Sequence, residues 1–276
     1  MTRLAESDID TILSSLDELD RLLLKITGCN LLELSARASG VEMSAVRPMK
    51  IAVVPVTAGQ GLIGGFSQTV CGILTHIGMD AFVTKKTDIG GMHEAFLNAE
   101  AQISADDDNF IAYHKKTGIC TENSDATGRG FAAALEAAAS HSVHGGIRGK
   151  KVLIAGAGIV GLSAAGYLHA RGAEAVVFDT NPDRLAGLPY RTITAVGAEK
   201  FPLILEATSS ADVIGEEHVL ANTIIAAPGM PLGVEQQLAA RLLKENRLIH
   251  NTLELGTAVM ITGLMRGGAE TEQPCL

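Results

Sequence analysis

Tryptophan is absent from this chain of 276 residues, and aromatic residues make up only 4% of it. A core without large rings must be built mainly from Ala, Val, Ile and Leu, and hydrophobic residues reach 47%. Together with 30 glycines, this composition is typical of an α/β protein with parallel strands and tight turns. The length suits two domains, each large enough to bury its own core.

Apolar runs long enough to cross a membrane, about 18 residues, are also missing, and the acidic N-terminal stretch lacks the apolar run of a signal peptide. Basic residues are fewer than acidic ones, and the formal net charge is -9. A negative protein is repelled by phosphate backbones and anionic lipid. We therefore expect a cytoplasmic protein with neither a nucleic-acid nor a membrane partner.

Closely spaced cysteines are missing as well. The four cysteines are Cys29, Cys71, Cys120 and Cys275. Without a Cys-x-x-Cys pair they suggest neither a zinc site nor a disulfide framework, and we expect buried or free thiols. Four histidines show no spacing typical of a metal site, so we predict no metal. They are His76, His93, His114 and His141.

The first half of the chain alternates between helix and strand patterns, as in an α/β domain. An amphipathic pattern predicts an opening helix over residues 7–26, with Ser7 as N-cap and Gly28 as the stop. The apolar, β-branched segment Met49–Val56 predicts a buried parallel strand. The other predicted elements are helices over Leu31–Ser39, Phe66–Ile77 and His93–Ala101 and a strand over Asp80–Thr84.

The segment between Asp106 and Asp125 is polar and acidic, shows no regular pattern, and precedes an Ala-rich helix over Phe131–Ser140. Such a segment between two regular halves often supplies binding or catalytic residues. Gly145 and Gly146 mark the entry to a new domain. We predict an N-terminal substrate-binding domain over residues 1–147 and a Rossmann-type domain with a C-terminal helix over residues 148–276.

A dinucleotide-binding fingerprint opens the second half, where residues 151–165 read KVLIAGAGIVGLSAA. A buried strand, three spaced glycines and a helix of small residues stand in the required order. Gly156 permits the tight turn, Gly158 lets the backbone approach a pyrophosphate, and Gly161 allows close packing of helix and strand. The diphosphate would then face backbone N–H groups of the first helical turn, which includes Ile159 and Val160.

The next predicted strand, Ala175–Phe178, ends in Asp179 at about the 20-residue interval expected for a ribose-binding acid. An acid there accepts hydrogen bonds from the ribose diol and repels a 2′-phosphate, which favours NAD. Arg184 weakens that preference, because an arginine can accommodate the phosphate. Two further buried strands, Leu203–Ala207 and Thr223–Ala227, precede small residues that we expect beside the nicotinamide: Ala207, Thr208, Pro228 and Gly229.

Six segments carry a family resemblance over most of the chain. They are VPVTAGQGLIGGFS (Val54–Ser67), ADDDNFIAYH (Ala105–His114), LIAGAGIVG (Leu153–Gly161), EATSSAD (Glu206–Asp212), APGMP (Ala227–Pro231) and LGTAVM (Leu255–Met260). In this order and at this spacing they resemble the PylD family of pyrrolysine-biosynthesis dehydrogenases. The glycine turn is generic, so the first two segments carry the identification.

The resemblance implies an NAD-dependent oxidation of the terminal amine of 3-methylornithyl-Nε-lysine. The α-amino group of the same ornithyl unit would attack the resulting imine or aldehyde, closing the pyrroline ring of pyrrolysine with loss of ammonia. The implied substrate contacts fall on Leu4, Val56, Ala58, Ala105 and Asp106. A serine is common in the family at the position of Ala58, so a hydroxyl contact is missing there.

Hydride leaves a C–H beside nitrogen only when the amine is uncharged, so a nearby group must accept the ammonium proton. With the resemblance, we predict that Asp106 is the substrate anchor and this proton acceptor, its carboxyl pKa raised by Asp107 and Asp108. The alternative is a solvated acidic turn or a helix cap formed with Asn109. Leu4 would close over bound substrate, or else belong to a frayed end or a dimer contact.

Two other functions stay open. Thr121–Glu136 resembles the segment before the Rossmann domain of shikimate dehydrogenases, although the Lys-bearing motif expected after the first strand is not seen. A non-catalytic NAD sensor would bind the dinucleotide without turnover. The sequence also leaves the oligomeric state open, a homodimer included.

Overall fold

A computed structural model describes residues 9–61 and 63–266. Two compact units divide the chain. Among the described residues, the first unit contains 9–19, Leu31–Ala126 and 253–266, and the second contains Asp20–Asn30 and Thr127–Thr252.

This division differs from the predicted boundary between residues 147 and 148, most clearly at the C-terminal helix Glu254–Gly263. That helix packs in the first unit against the helix Leu31–Ser39, with the hydroxyls of Ser39 and Thr262 2.7 Å apart. Buried contacts rather than chain order set the units, so a chain segment can return to the unit in which it began.

The helices of at least nine residues have the following bounds: α1 Ile12–Thr27, α2 Leu31–Ser39, α3 Phe66–His76, α4 Asp88–Asn98, α5 Asn123–His141, α6 Ile159–Ala170, α7 Gln236–Lys244 and α8 Glu254–Gly263. The helix predicted over 7–26 thus begins at Ile12 in the described residues and ends before Gly28, whose φ of 73° ends it. Ser7 lies outside the described residues.

The first unit holds a five-stranded mixed sheet of order β2-β1-β3-β4-β5. Its strands are β1 Lys50–Pro55, β2 Asp80–Val83, β3 Ala101–Ala105, β4 Phe110–His114 and β5 Cys120–Glu122. Strand β1 lies between β2 and β3 and runs parallel to both, as its unbroken apolar sequence predicts, whereas β4 runs antiparallel to its neighbours β3 and β5.

The prediction for residues 93–125 is wrong in three places. Helix α4 begins at Asp88, and Ala101 opens β3 rather than ending a helix. The supposedly irregular segment forms β4 and β5, because Phe110–His114 alternates between buried and more exposed positions despite its polar flanks. Helix α5 begins at Asn123, where the Glu122 carboxylate accepts hydrogen bonds from the backbone N–H groups of Ser124 and Asp125.

The second unit holds a six-stranded parallel sheet of order β11-β10-β9-β6-β7-β8. Its strands are β6 Lys151–Ala155, β7 Glu174–Phe178, β8 Arg191–Ile193, β9 Phe201–Glu206, β10 Val219–Ala226 and β11 Leu248–Ile249. Numbered from β6, the order is 3-2-1-4-5-6, that of a dinucleotide-binding Rossmann domain. The predicted α/β fold with a parallel-sheet domain is confirmed.

One cysteine departs from the prediction. Cys29 and Cys71 are thiols outside any disulfide, but Cys120 is disulfide-bonded, so the expectation of thiols throughout is wrong there. A disulfide requires two Cα atoms within about 7 Å and Cβ atoms that point toward each other, which the fold decides and sequence spacing does not show.

Residues 9–61 and 63–266 also bear on the membrane and metal predictions. No helix there has both the length and the apolar character that a membrane crossing requires. No three His, Cys, Asp or Glu side chains gather there as metal ligands would. The absence of a bound metal stays a prediction.

Candidate functional site

The glycine turn of the second unit has the geometry that each of its glycines predicts. Gly156 follows β6 with a φ of 101°, and a Cβ there would lie 2.5 Å from the carbonyl oxygen of Ala207. A Cβ on Gly161 would collide with the carbonyl oxygen of Gly156. These two glycines keep the helix and the turn close together.

Gly158 differs from its neighbours, because no described heavy atom lies within 4 Å of the position of its Cβ. It stands at the N-cap of α6, whose first helical hydrogen bond runs from the N–H of Leu162 to the carbonyl oxygen of Gly158. The N–H groups of Ile159 and Val160 therefore belong to the first turn, where no intrahelical acceptor exists. The open space at Gly158, beside these N–H groups, fits a diphosphate.

Asp179 follows β7 and is only 8% exposed. Its Oδ2 accepts a hydrogen bond of 2.9 Å from the N–H of Ala157, and its Oδ1 accepts one of 2.9 Å from the N–H of Asn181. The guanidinium of Arg184 lies 3.7 Å from Oδ2. The acid predicted to bind the ribose therefore also holds the glycine turn in place.

The strand order reverses between β6 and β9, where a Rossmann domain forms its ligand crevice. Ala207 and Thr208 follow β9 directly, and the N–H of Ala207 donates to the carbonyl oxygen of Ala155 at 2.7 Å. Pro228 and Gly229 follow the neighbouring β10. The fold thus brings the predicted cofactor residues to the carboxyl edge of one sheet.

Glu206, the last residue of β9, is a site residue that the sequence analysis did not single out. It is fully buried, and its carboxylate accepts hydrogen bonds from the N–H and hydroxyl of Thr208 and from the N–H of Gly233. Burial raises the pKa of this carboxyl despite the three hydrogen bonds. One acid therefore ties together the loops that follow β9 and β10.

His250 is a second residue that the sequence analysis passed over. It follows β11 and is partly buried, and its Nδ1 lies 2.7 Å from the carbonyl oxygen of Ala227, at the end of the adjacent β10. Among the described residues, no hydrogen bond engages its Nε2. The only signal in the sequence was a histidine after a short apolar strand.

The predicted substrate residues of the first unit also meet at one sheet edge. Pro55 of β1 pairs with Ala105 of β3 in parallel register, so Val56 and Asp106 are the next residues of adjacent strands. The loop after β1 is tied to the turn after β3, because the N–H of Gln60 donates to the Asp107 carboxylate at 2.6 Å. Ala58 lies in this loop, and Leu4 lies outside the described residues.

Asp106 caps the turn between β3 and β4. Its Oδ1 accepts hydrogen bonds of 2.9 and 2.7 Å from the N–H groups of Asp108 and Asn109. These backbone donors lower the pKa of the exposed Asp106 carboxyl. The expectation that its acidic neighbours raise this pKa is wrong, because hydrogen bonds to the ionised form act over a shorter distance than repulsion through water.

Two protein families match this chain, one over the part that contains the first sheet and one over most of the part that contains the second. Residues 8–121 match the family described as pyrrolysine biosynthesis protein PylD, N-terminal domain. Residues 132–245 match the alanine dehydrogenase/PNT C-terminal domain.

Two curated relatives match nearly the whole chain. The pyrrolysine synthase of Methanosarcina acetivorans is 30% identical over 274 residues, covering 96% of this chain and 100% of the relative. The pyrrolysine synthase of Methanosarcina barkeri is 30% identical over 270 residues, covering 96% of this chain and 98% of the relative.

Solved structures give weaker matches. A shikimate 5-dehydrogenase from Thermus thermophilus has 16% identity and a TM-score of 0.47, covering 79% of this chain and 91% of its own. A quinate dehydrogenase from Corynebacterium glutamicum has 14% identity and a TM-score of 0.48, covering 79% and 94%. Matches this distant do not bear on the substrate.

Proposed function

This chain belongs to the pyrrolysine synthase family, and on that premise we propose that it oxidises the terminal amine of 3-methylornithyl-Nε-lysine with NAD. Membership makes it an enzyme of pyrrolysine biosynthesis with a dehydrogenase-type nucleotide domain. The observation that carries the redox chemistry is the glycine turn at the strand-order reversal, with open space at Gly158.

The residues at this turn fit a nicotinamide dinucleotide. Each oxygen of the Asp179 carboxylate accepts one backbone N–H and has a second lone pair for a ribose hydroxyl. Its negative charge disfavours a 2′-phosphate, so we propose NAD rather than NADP, with Arg184 as the residue that limits the preference. When bound, the nicotinamide supplies a hydride acceptor.

The chemistry balances on the substrate. The ammonium loses a proton, the adjacent carbon loses a hydride, and an iminium forms. The α-amino group of the ornithyl unit then adds to the iminium carbon, and loss of ammonia and one proton leaves the C=N bond of the pyrroline ring. The product therefore lacks one ammonia and two hydrogens relative to the dipeptide.

We propose that Asp106 anchors the substrate through its charge, with Val56, Ala58 and Ala105 lining the same edge. A carboxyl whose pKa is lowered stays ionised and can pair with an ammonium group. The same lowering makes it a weak base, so the structure does not favour Asp106 as the proton acceptor. Leu4 as a lid over the substrate stays a prediction.

The reaction is tested by mass spectrometry after incubating the protein with NAD and the dipeptide. We expect NADH and a product lighter by one ammonia and two hydrogens. Binding of NAD without turnover of the dipeptide would instead support the sensor function, and NAD(P) reduction with shikimate would support the alternative enzyme. Light scattering on the same sample decides whether the protein is a homodimer.

The cofactor site is tested by Gly158→Ala against Gly166→Ala in the same region. A Cβ fits at both positions, since the nearest described atom at Gly166 is the Tyr190 hydroxyl oxygen 3.8 Å away. Only the first would meet a diphosphate, at a cost of about 1 to 3 kcal/mol, or roughly tenfold to a hundredfold in Kd. Calorimetric titration with NAD and NADP should show this loss, and equal affinity in both variants would contradict the site.

A further inference from the structure

We propose that His250 is a catalytic residue of this enzyme and accepts the proton that the substrate ammonium must lose before hydride transfer. The inference rests on the proposed function, because it assigns the base of that reaction. It is based on the contact of His250 with the end of β10, on its position after β11, and on the hydrogen bonds that already engage the neighbouring acids.

The contact with Ala227 fixes the tautomer of the imidazole. A carbonyl oxygen only accepts hydrogen bonds, so at 2.7 Å the Nδ1 of His250 must carry the hydrogen. In the neutral ring the Nε2 then holds a lone pair, and no described residue donates to it. An imidazole held by one nitrogen, with a lone pair on the other, is arranged to accept a proton without moving.

The place of His250 matches the nicotinamide side of the sheet. Asp179, which directly follows β7, marks the adenosine side of the strand-order reversal, so the other half of a bound dinucleotide would extend toward β9, β10 and β11. His250 follows β11, and its partner Ala227 directly precedes Pro228 and Gly229. A base at this edge would stand on the side of the sheet where the nicotinamide accepts the hydride, as the reaction requires.

The other acids directly at strand ends of this unit have different tasks. Asp179 holds Ala157 and Asn181. Glu206 is fully buried and holds three donors of two loops. In the first unit, Asp106 caps its turn. His250 differs from these carboxylates because it is a neutral base in a fixed tautomer, and its hydrogen bond to Ala227 leaves the Nε2 lone pair available.

The imidazole of His250 accounts for the proton that the substrate ammonium loses. Nε2 takes one proton from the ammonium, giving an imidazolium that still donates through Nδ1 to Ala227, and the amine enters hydride transfer uncharged. The imidazolium then releases its proton to water. Hydride transfer, ring closure and loss of ammonia then follow on the substrate.

The test compares His250→Asn with His250→Ala and the exposed control His93→Asn. The asparagine amide can keep the donor to Ala227 but has no basic nitrogen. We expect kcat for NADH formation to fall about 10²- to 10⁴-fold in both His250 variants, the usual range for a lost general base. NAD affinity and thermal melting should stay at wild-type values, as should the turnover of His93→Asn.

Added imidazole provides a second measurement. It should raise the turnover of His250→Ala, which has room for the ring, and leave wild type and His93→Asn unchanged. Wild-type turnover in His250→Asn, or a slow His250→Ala that imidazole does not rescue, would overturn the assignment while the proposed reaction stands. A wild-type protein that binds NAD but does not oxidise the dipeptide would overturn both.

Discussion

Two carboxylates, Asp106 in the first unit and Glu206 in the second, stand at the ends of parallel strands and receive hydrogen bonds from the loops that follow. Their pKa values move in opposite directions. Asp106 is exposed, so its two backbone donors lower the pKa, whereas the three donors of Glu206 do not offset the loss of water around a fully buried group. The same local motif thus yields a stable anion in one unit and an easily protonated acid in the other.

The largest effect should come from truncating the buried acid. Glu206→Ala removes the acceptor of the Thr208 and Gly233 N–H groups, and each buried donor left without a partner costs about 1 to 3 kcal/mol. We expect a loss of about 3 kcal/mol or more in the free energy of unfolding, measured by urea denaturation. Glu206→Gln keeps the shape and one acceptor oxygen, so its loss should be smaller; equal losses would show that the hydrogen bonds do not matter.

Gly229→Ala should have the next largest effect, because a Cβ there would run into the Glu206 carboxylate. Overpacking of this kind costs about 1 to 3 kcal/mol. The same substitution in a Glu206→Ala background should cost less, since the truncated side chain leaves room. A double-mutant cycle with no coupling between the two positions would contradict the close packing.

The exposed acid should act on the substrate rather than on folding. Asp106→Asn keeps the Oδ1 acceptor of the turn but removes the charge, so we expect a rise of about tenfold in substrate KM, or about 1.4 kcal/mol, with only a small loss of unfolding free energy. Asp106→Ala also removes the cap and should lose about 1 kcal/mol of unfolding free energy. A substrate KM that Asp106→Asn leaves unchanged would exclude the anchoring role.

The smallest effect is the pH dependence of stability. The two acids should contribute changes of opposite sign to the unfolding free energy as the pH rises. The stabilisation from Asp106 is complete above its unfolded pKa of 3.8 and is lost as the pH falls through its lower folded value. For Glu206, stability is greatest below 4.5 and falls as the pH rises through its higher folded value. Urea titrations of wild type, Asp106→Asn and Glu206→Gln from pH 3 to pH 7 should separate the two slopes.

Local patterns in the sequence sufficed for the nucleotide turn. The succession of a strand, three glycines and a helix at 151–165 can be recognised from residues that are neighbours in the sequence. Asp179 follows at a spacing that the fold fixes. The strands β4 and β5 were missed because their alternation is short and lies between polar turns. The start of α5 was missed because its first residues are polar, and Glu122 satisfies their N–H groups.

The sequence by itself determined the α/β fold, the dinucleotide turn and the family, since each depends on residues close together along the chain or on ordered motifs. Tertiary structure alone decided the burial of Glu206, the disulfide of Cys120 and the contact of His250 with Ala227. Each of these depends on which distant segment, or how much water, surrounds a side chain, and sequence spacing carries no information on either.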